Sequence, residues 1–151
     1  MTQTSRPRFF DLSPADAIAL LERNHVGHLA FTFHDRVDIE PISYVCAEHY
    51  IIARTSPGTK LTTMLHHPWV AFEVDEVHGP YDWRSVTVRG ALHFLEPAVS
   101  ERDREAYEKA IGLLRSWESS TLTEGDRAPH RNQVFRIFID EMTGRGASTT
   151  G

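Results

Sequence analysis

Apolar residues that alternate with polar ones constrain this chain more than any other feature in it. Between Trp83 and Leu95, Val86, Val88, Leu92 and Phe94 fall on one face of an extended strand. Val70, Phe72 and Val74 do the same between Trp69 and Asp75. In Val26 to Phe33, Leu29, Phe31 and Phe33 alternate with His28, Ala30 and Thr32. Asp38 to Cys46, Tyr50 to Arg54 and Gln133 to Glu141 complete a set of six strands. A period of two fits a pleated sheet with one face buried. The polar turns His34-Asp35-Arg36 and Ala47-Glu48-His49 join the first three strands into an antiparallel meander.

Three helices interrupt the strands. Ser13 can accept a bond from a first-turn amide, Pro14 suits the first helical position, and Asn24 is a stop. Thr59 to His67 is a short helix with Leu61, Met64 and Leu65 on one side, ended by Pro68. Ser100 to Ser116 is charged but carries an apolar stripe of Ala106, Ala110, Leu113 and Leu114. Glu76 to Asp82 reads as a loop around Gly79-Pro80. Glu118 to Arg131 is polar and irregular; the region from Trp117 to Arg131 is a candidate cover for a site, with no motif to mark it. No repeat or linker divides the chain. It reads as one domain over 1–151, with residues 1–8 and 146–151 flexible. The expected class is mainly β: a barrel or sandwich with peripheral helices.

A chain of 151 residues buries about 68–70% of its unfolded surface, so it needs no staple. The net charge is -5, whereas nucleic-acid binders usually show a basic balance. No nucleic-acid partner is expected. No apolar run reaches the roughly 20 residues of a membrane span, and Met1 to Arg8 lacks the apolar stretch of a signal peptide. A cytoplasmic protein is expected. The single cysteine, Cys46, reads as a buried small hydrophobe.

The segment Ala53-Arg54-Thr55-Ser56-Pro57-Gly58-Thr59-Lys60 carries the sharpest chemistry. It joins a strand to a helix start, whose free amides favour an anion. Arg54 offers a fork and Lys60 a point charge for phosphate oxygens. Thr55, Ser56 and Thr59 add hydroxyls, and Gly58 allows close backbone approach. The same residues would also serve as an ordinary capped surface turn. The nine histidines show no metal-ligand spacing: His66 and His67 are adjacent on a helix, and neither an H-E-x-x-H motif nor a cysteine pair is present. No metal site is expected. No G-x-S-x-G elbow suggests a hydrolase, and no catalytic residue can be named.

The order and wording of these segments resemble the pyridoxamine 5'-phosphate oxidase-like FMN-binding split barrels, in the branch of short proteins related to nitroimidazole-resistance reductases. The matching words are Val26-Gly27-His28-Leu29-Ala30-Phe31, Glu40-Pro41-Ile42-Ser43-Tyr44-Val45, Ile51 through Leu61, His67-Pro68 with Val70 to Asp75, and Trp83 through Gly90. The resemblance implies a six-stranded antiparallel split barrel, homodimeric, with FMN in two grooves at the subunit interface. It implies that Pro41, Ile42, Ser43 and Tyr44 lie beside the flavin ring. It implies that Arg54, Thr55, Ser56, Thr59 and Lys60 hold the phosphate and ribityl chain, and that Trp83 and Ser85 approach from the partner. The implied activity is an FMN-dependent oxidoreductase acting on a small organic substrate. The alternative is a non-catalytic module, or one that binds a deazaflavin or haem. Arginine stands at position 54 where many relatives of that branch carry histidine, and the C-terminal Trp/Arg signature of the oxidase proper is missing. Pyridoxine phosphate oxidation is therefore not expected.

Overall fold

The computed structural model describes residues 6–149. The strands are β1 (Arg8–Asp11), β2 (Val26–Phe33), β3 (Arg36–Ala47), β4 (Tyr50–Thr55), β5 (Trp69–Gly79), β6 (Asp82–Phe94), β7 (Gln133–Phe138) and β8 (Glu141–Ser148). The helices are α1 (Pro14–Arg23), α2 (Thr59–His66) and α3 (Glu101–Trp117). Six strands close a ring, β2-β3-β4-β7-β6-β5 and back to β2, with every pairing antiparallel. The chain is mainly β, and its ring is split because two strands change neighbours along their length. Arg36–Ser43 of β3 pair with β2, and Tyr44–Ala47 pair with β4. Trp83–Arg89 of β6 pair with β8, and Leu92–Phe94 pair with β7.

Both early hairpins turn through two residues in the left-handed region: His34 and Asp35 at φ 48 and 60, Glu48 and His49 at φ 53 and 67. Two-residue turns of this hand match strand twist, although glycine usually fills them.

The ends of the chain correct the expectations. The last strand does not run from Gln133 to Glu141. It breaks at Ile139-Asp140, where Ile139 N donates to His49 O at 2.9 Å and Asp140 N to Arg89 O at 3.2 Å. The chain then continues as β8, so the flexible tail expected from residue 146 is instead strand through Ser148. β8 is sandwiched between β6 and β1, with Arg8 opposite Ser148, so Arg8 is strand as well. Pairing with residues far away in sequence ordered these segments, and composition could not show it. Residues 1–5 and 150–151, also expected to be flexible, lie outside the described residues. The expected loop at Glu76 to Asp82 is short, because β5 runs on to Gly79 and β6 begins at Asp82.

The barrel interior is filled by inward-facing residues such as Leu29, Phe31, Phe72, Val86, Val88 and Ile137, with α1 inserting Ala17, Leu20 and Leu21. Ser13 Oγ caps α1 by accepting from Asp16 N at 3.1 Å. Asn24 and Arg23 tie the far end of the helix to Glu76 on β5. Tyr44 is buried in the same core, and its hydroxyl donates to Leu21 O at 2.6 Å. α3 covers the outside of β3, β4 and β7 through Ala110, Ile111 and Leu114, which pack on Val45, Ile52 and Val134. Among the described residues the opposite outer face has no such cover. It presents Val26, Val37 (81% exposed), Ile39, Trp69 (52%) and Val77.

Cys46 is buried, as expected, and burial pushes its thiol up to about 12. The nucleophilic thiolate is thus almost absent near neutrality. Ellman's reagent at about pH 8 is expected to leave the native protein unlabelled and to find one thiol per chain after denaturation. Rapid labelling of the folded protein would contradict that burial.

Candidate functional site

β4 ends at Thr55 and α2 begins at Thr59, so the intervening Ser56-Pro57-Gly58 turns at the mouth of the barrel. A cavity of about 520 Å³ lies there, within the range of small-molecule sites. Arg54, Thr55, Ser56, Pro57, Gly58 and Lys60 line one side. Glu40, Pro41 and Ile42 of β3, with Phe33 and Met64, line another, and His130 and Arg131 complete it. Gly58 occupies the N-cap position of α2 and has no side chain to accept from the first-turn amides. Its backbone is extended, and a Cβ built on it would meet nothing within 4 Å. Internal packing therefore does not require glycine there; the open space beside it is the cavity itself.

The two expected cations are both engaged. Arg54 Nη1 and Nη2 donate to the two carboxylate oxygens of Asp126 at 2.5 and 3.0 Å. Nη1 also donates to Ala128 O and Arg131 O, each at 3.3 Å. The pair is shielded from solvent, with the Arg54 side chain 11% exposed and that of Asp126 1%. Asp126 further accepts from Leu122 N at 2.8 Å and Ala128 N at 2.9 Å. The Arg54 hydrogen bond, then the Ala128 amide, hold its carboxyl far below the usual carboxylate range. Asp126 thus gathers the loop between α3 and β7 and binds it to β4. Lys60 Nζ donates to Glu40 Oε1 and lies 3.6 Å from Asp38 Oδ2. The bond to Glu40 raises the ammonium pKa. This pair is far more exposed, at 45% and 42%, and such pairs are weak.

A smaller cavity of about 100 Å³ adjoins the first and shares Arg54 and Arg131 with it. Ser43, Tyr44, Val45 and Trp117 line it. Trp117 stacks on His25 at a centroid distance of 3.6 Å, while His25 Nδ1 lies 3.1 Å from Tyr44 O. That stack braces the end of α3 against the start of β2.

The structure therefore brings Pro41, Ile42, Arg54, Thr55, Ser56 and Lys60 to one cavity, with Ser43 and Tyr44 next door and Thr59 opening α2. Only the Tyr44 backbone remains for a ligand, because its ring is core. Trp83 and Ser85 do not join them within one chain. Ser85 Oγ donates to Glu73 Oε2 at 2.8 Å on the outer sheet face. There Glu73 also meets His28 Nδ1 at 3.2 Å, and the ligand-type atoms of His28, Glu73 and Asp75 lie within 4.8 Å of one another. Burial, then a hydrogen bond with Asp75, raises the Glu73 carboxyl. The spacing of histidines in the sequence gave no sign of this cluster, because its members meet only through the pairing of β2 with β5. Asp126, His130 and Arg131 were likewise missed at the cavity, since an irregular polar loop carries no periodicity to place it.

The chain is thus an antiparallel split barrel with a cation-lined cavity where β4 meets α2. The chain belongs to the pyridoxamine 5'-phosphate oxidase family, whose model matches residues 13–146. Among solved structures it is similar to an FAD-binding protein from Mesorhizobium loti, at 25% identity and a TM-score of 0.73, over 93% of this chain and 98% of that one. It is also similar to the FAD-binding protein of Mycobacterium smegmatis, at 25% identity and a TM-score of 0.65, over 91% and 98%. A candidate 5-nitroimidazole antibiotic resistance protein from Bacteroides thetaiotaomicron shares the fold at 14% identity, with a TM-score of 0.70 over 94% and 89%. No curated protein matches the chain.

Proposed function

We propose that this chain is a flavoprotein that holds FMN in the larger cavity and acts as an FMN-dependent oxidoreductase on a small organic substrate. The observation that carries the reading is the cavity itself. Thr55 and Ser56, whose hydroxyls have no partner among the described residues, line it with Gly58 and the uncapped start of α2, the groups a phosphate monoester requires. Apolar Phe33, Ile42 and Met64 supply the dry wall that an aromatic ring system prefers. When bound, a flavin supplies hydride or single-electron chemistry by itself. The chain's residues then have to bind the phosphate, orient the ring and exclude water; none has to act as a nucleophile.

The active form would be a homodimer. Val26, Val37, Ile39, Trp69 and Val77 expose apolar side chains on one outer face of β2, β3 and β5, on either side of the polar cluster of His28, Glu73 and Asp75, and exposed apolar groups of this kind mark interfaces. Trp83 and Ser85, remote from the cavity in their own chain, would reach a flavin only from a second copy. A stable interface of this kind buries above about 2,000 Å².

FAD is the second reading, favoured by the two 25%-identical FAD-binding structures and by the adjoining cavity beyond Arg54. The purified protein is expected to be yellow, or to become so with added FMN, and to saturate at one flavin per chain as a dimer in light scattering. Titration against FMN, FAD, a deazaflavin and haem separates the ligands by which one saturates. A colourless monomer that takes up no flavin would sink the proposal.

A further inference from the structure

Three cations line the larger cavity, and their situations differ. Arg54 turns its Nη1 and Nη2 edge to Asp126, with Nη1 also on Ala128 O and Arg131 O. Lys60 is bonded to Glu40. Arg131 lines both cavities, is exposed, and has no side-chain hydrogen bond or ion pair among the described residues. Its backbone is nonetheless held in place. Arg131 N donates to Ala128 O at 3.0 Å, and Arg131 O accepts from Arg54 at 3.3 Å.

The costs of recruiting each cation decide between them. A phosphate taking the Nη1–Nη2 edge of Arg54 would have to displace a carboxylate that is 1% exposed, leaving Asp126 charged, shielded and without its counter-ion. Breaking one side of a shielded pair is strongly unfavourable. Lys60 can leave Glu40 at little cost, since both are half exposed. Arg131 breaks nothing. Its fork is the better match to phosphate oxygens. With Arg54 neutralised by Asp126 and Lys60 by Glu40, Arg131 supplies the cavity's uncompensated positive charge.

Resting on the flavin reading, we infer that Arg131 is the residue that clamps the phosphate group, while Arg54 is a positioning residue that sets the loop carrying Arg131. The family segment Arg54 to Lys60 thus forms the cradle, and the charge that closes it comes from the loop before β7.

The test compares FMN with riboflavin, which lacks the phosphate, by fluorescence titration at several salt concentrations. Arg131→Gln is expected to weaken FMN binding about ten- to a hundredfold, the worth of one charge-assisted contact. Riboflavin binding should stay within about twofold, as for a surface change. The salt dependence of FMN binding should flatten, and Arg131→Lys should recover part of the loss. Arg54→Gln is expected to weaken FMN binding while also opening the loop to trypsin, which Arg131→Gln does not do. An Arg131→Gln protein that keeps the wild-type preference for FMN overturns the inference and leaves the flavin reading standing. So does an Arg54→Gln protein that loses FMN with its loop still protected. Inorganic phosphate gives the arm that needs no flavin. It should raise the melting temperature of the wild type and not of Arg131→Gln. If no flavin binds yet phosphate protects through Arg131, the flavin reading falls and the anion clamp stands. If phosphate protects both proteins equally, the clamp falls.

Discussion

Gly90→Ala is expected to be the most damaging single methyl that can be added to this protein. A Cβ at Gly90 would lie 1.9 Å from Phe138 O and 3.1 Å from Phe138 C. These are backbone atoms, so no rotamer relieves the clash. The location explains the crowding. Gly90 is where β6 stops pairing with β8 and starts pairing with β7, opposite Val70 of β5. Immediately beyond Phe138 the chain turns the corner that splits the barrel, and Asp140 N bonds Arg89 O there. To admit the methyl, β6 and the end of β7 must separate, and that loosens both pairings. Overpacking typically costs about 1–3 kcal/mol when side chains can adjust; with backbone on both sides the upper end or more is expected. For a domain of this size that lowers the melting temperature by roughly 6–12 °C. Circular dichroism melts of the variant check it. A loss below about 1 kcal/mol would show that this corner gives way easily.

Asp126→Ala is expected to release the loop between α3 and β7 while leaving the barrel folded. The carboxylate accepts from Arg54 and from the amides of Leu122 and Ala128. Its removal leaves Arg54 without a counter-ion and the loop without its centre. Trypsin should then cut after Arg127 and Arg131 about tenfold faster or more, since each tenfold needs only about 1.4 kcal/mol of easier local opening. Flavin affinity should fall with it, because Arg131 is no longer held at the cavity. Arg54→Ala combined with Asp126→Ala should cost little more than either alone, as residues of one network are not additive. The pH dependence has a defined sign. The folded carboxyl is depressed, so its contribution is present above the unfolded value of about 3.9 and is lost only as pH falls through its much lower folded value. The loop should therefore stay protected at about pH 5. Release there, or an Asp126→Ala loop as resistant as wild type, would refute the latch.

Several parts of this protein were legible in the sequence for simple reasons. Val70, Phe72, Val74, Val86 and Val88 alternate because one face of each strand is core. Ser13 sits at a helix start because its hydroxyl accepts from Asp16 N; Ser100 does the same for Asp103 N, a cap that the helical spacing did not mark. The word from Arg54 to Lys60 marked a turn between strand and helix, and a cavity lies beside it. The rest was not legible. Phe135, Ile137 and Ile139 alternate without interruption, so nothing local announces that β7 ends at Phe138. Gly144 to Ser148 look like a tail, yet they form a strand because β1 and β6 stand on either side.

Local pattern thus determined the six strands of the ring apart from the end of β7, the cap of α1, the buried cysteine and the turn between β4 and α2. Each depends on neighbours a few residues apart, whose spacing the chain fixes for itself. Tertiary structure alone decided which cations are available. Arg54 and Asp126 are far apart in the sequence and meet only because β4 pairs with β7 and draws the preceding loop across it. That encounter neutralises the residue that composition favoured and leaves Arg131, unremarkable in the sequence, as the uncommitted charge at the cavity.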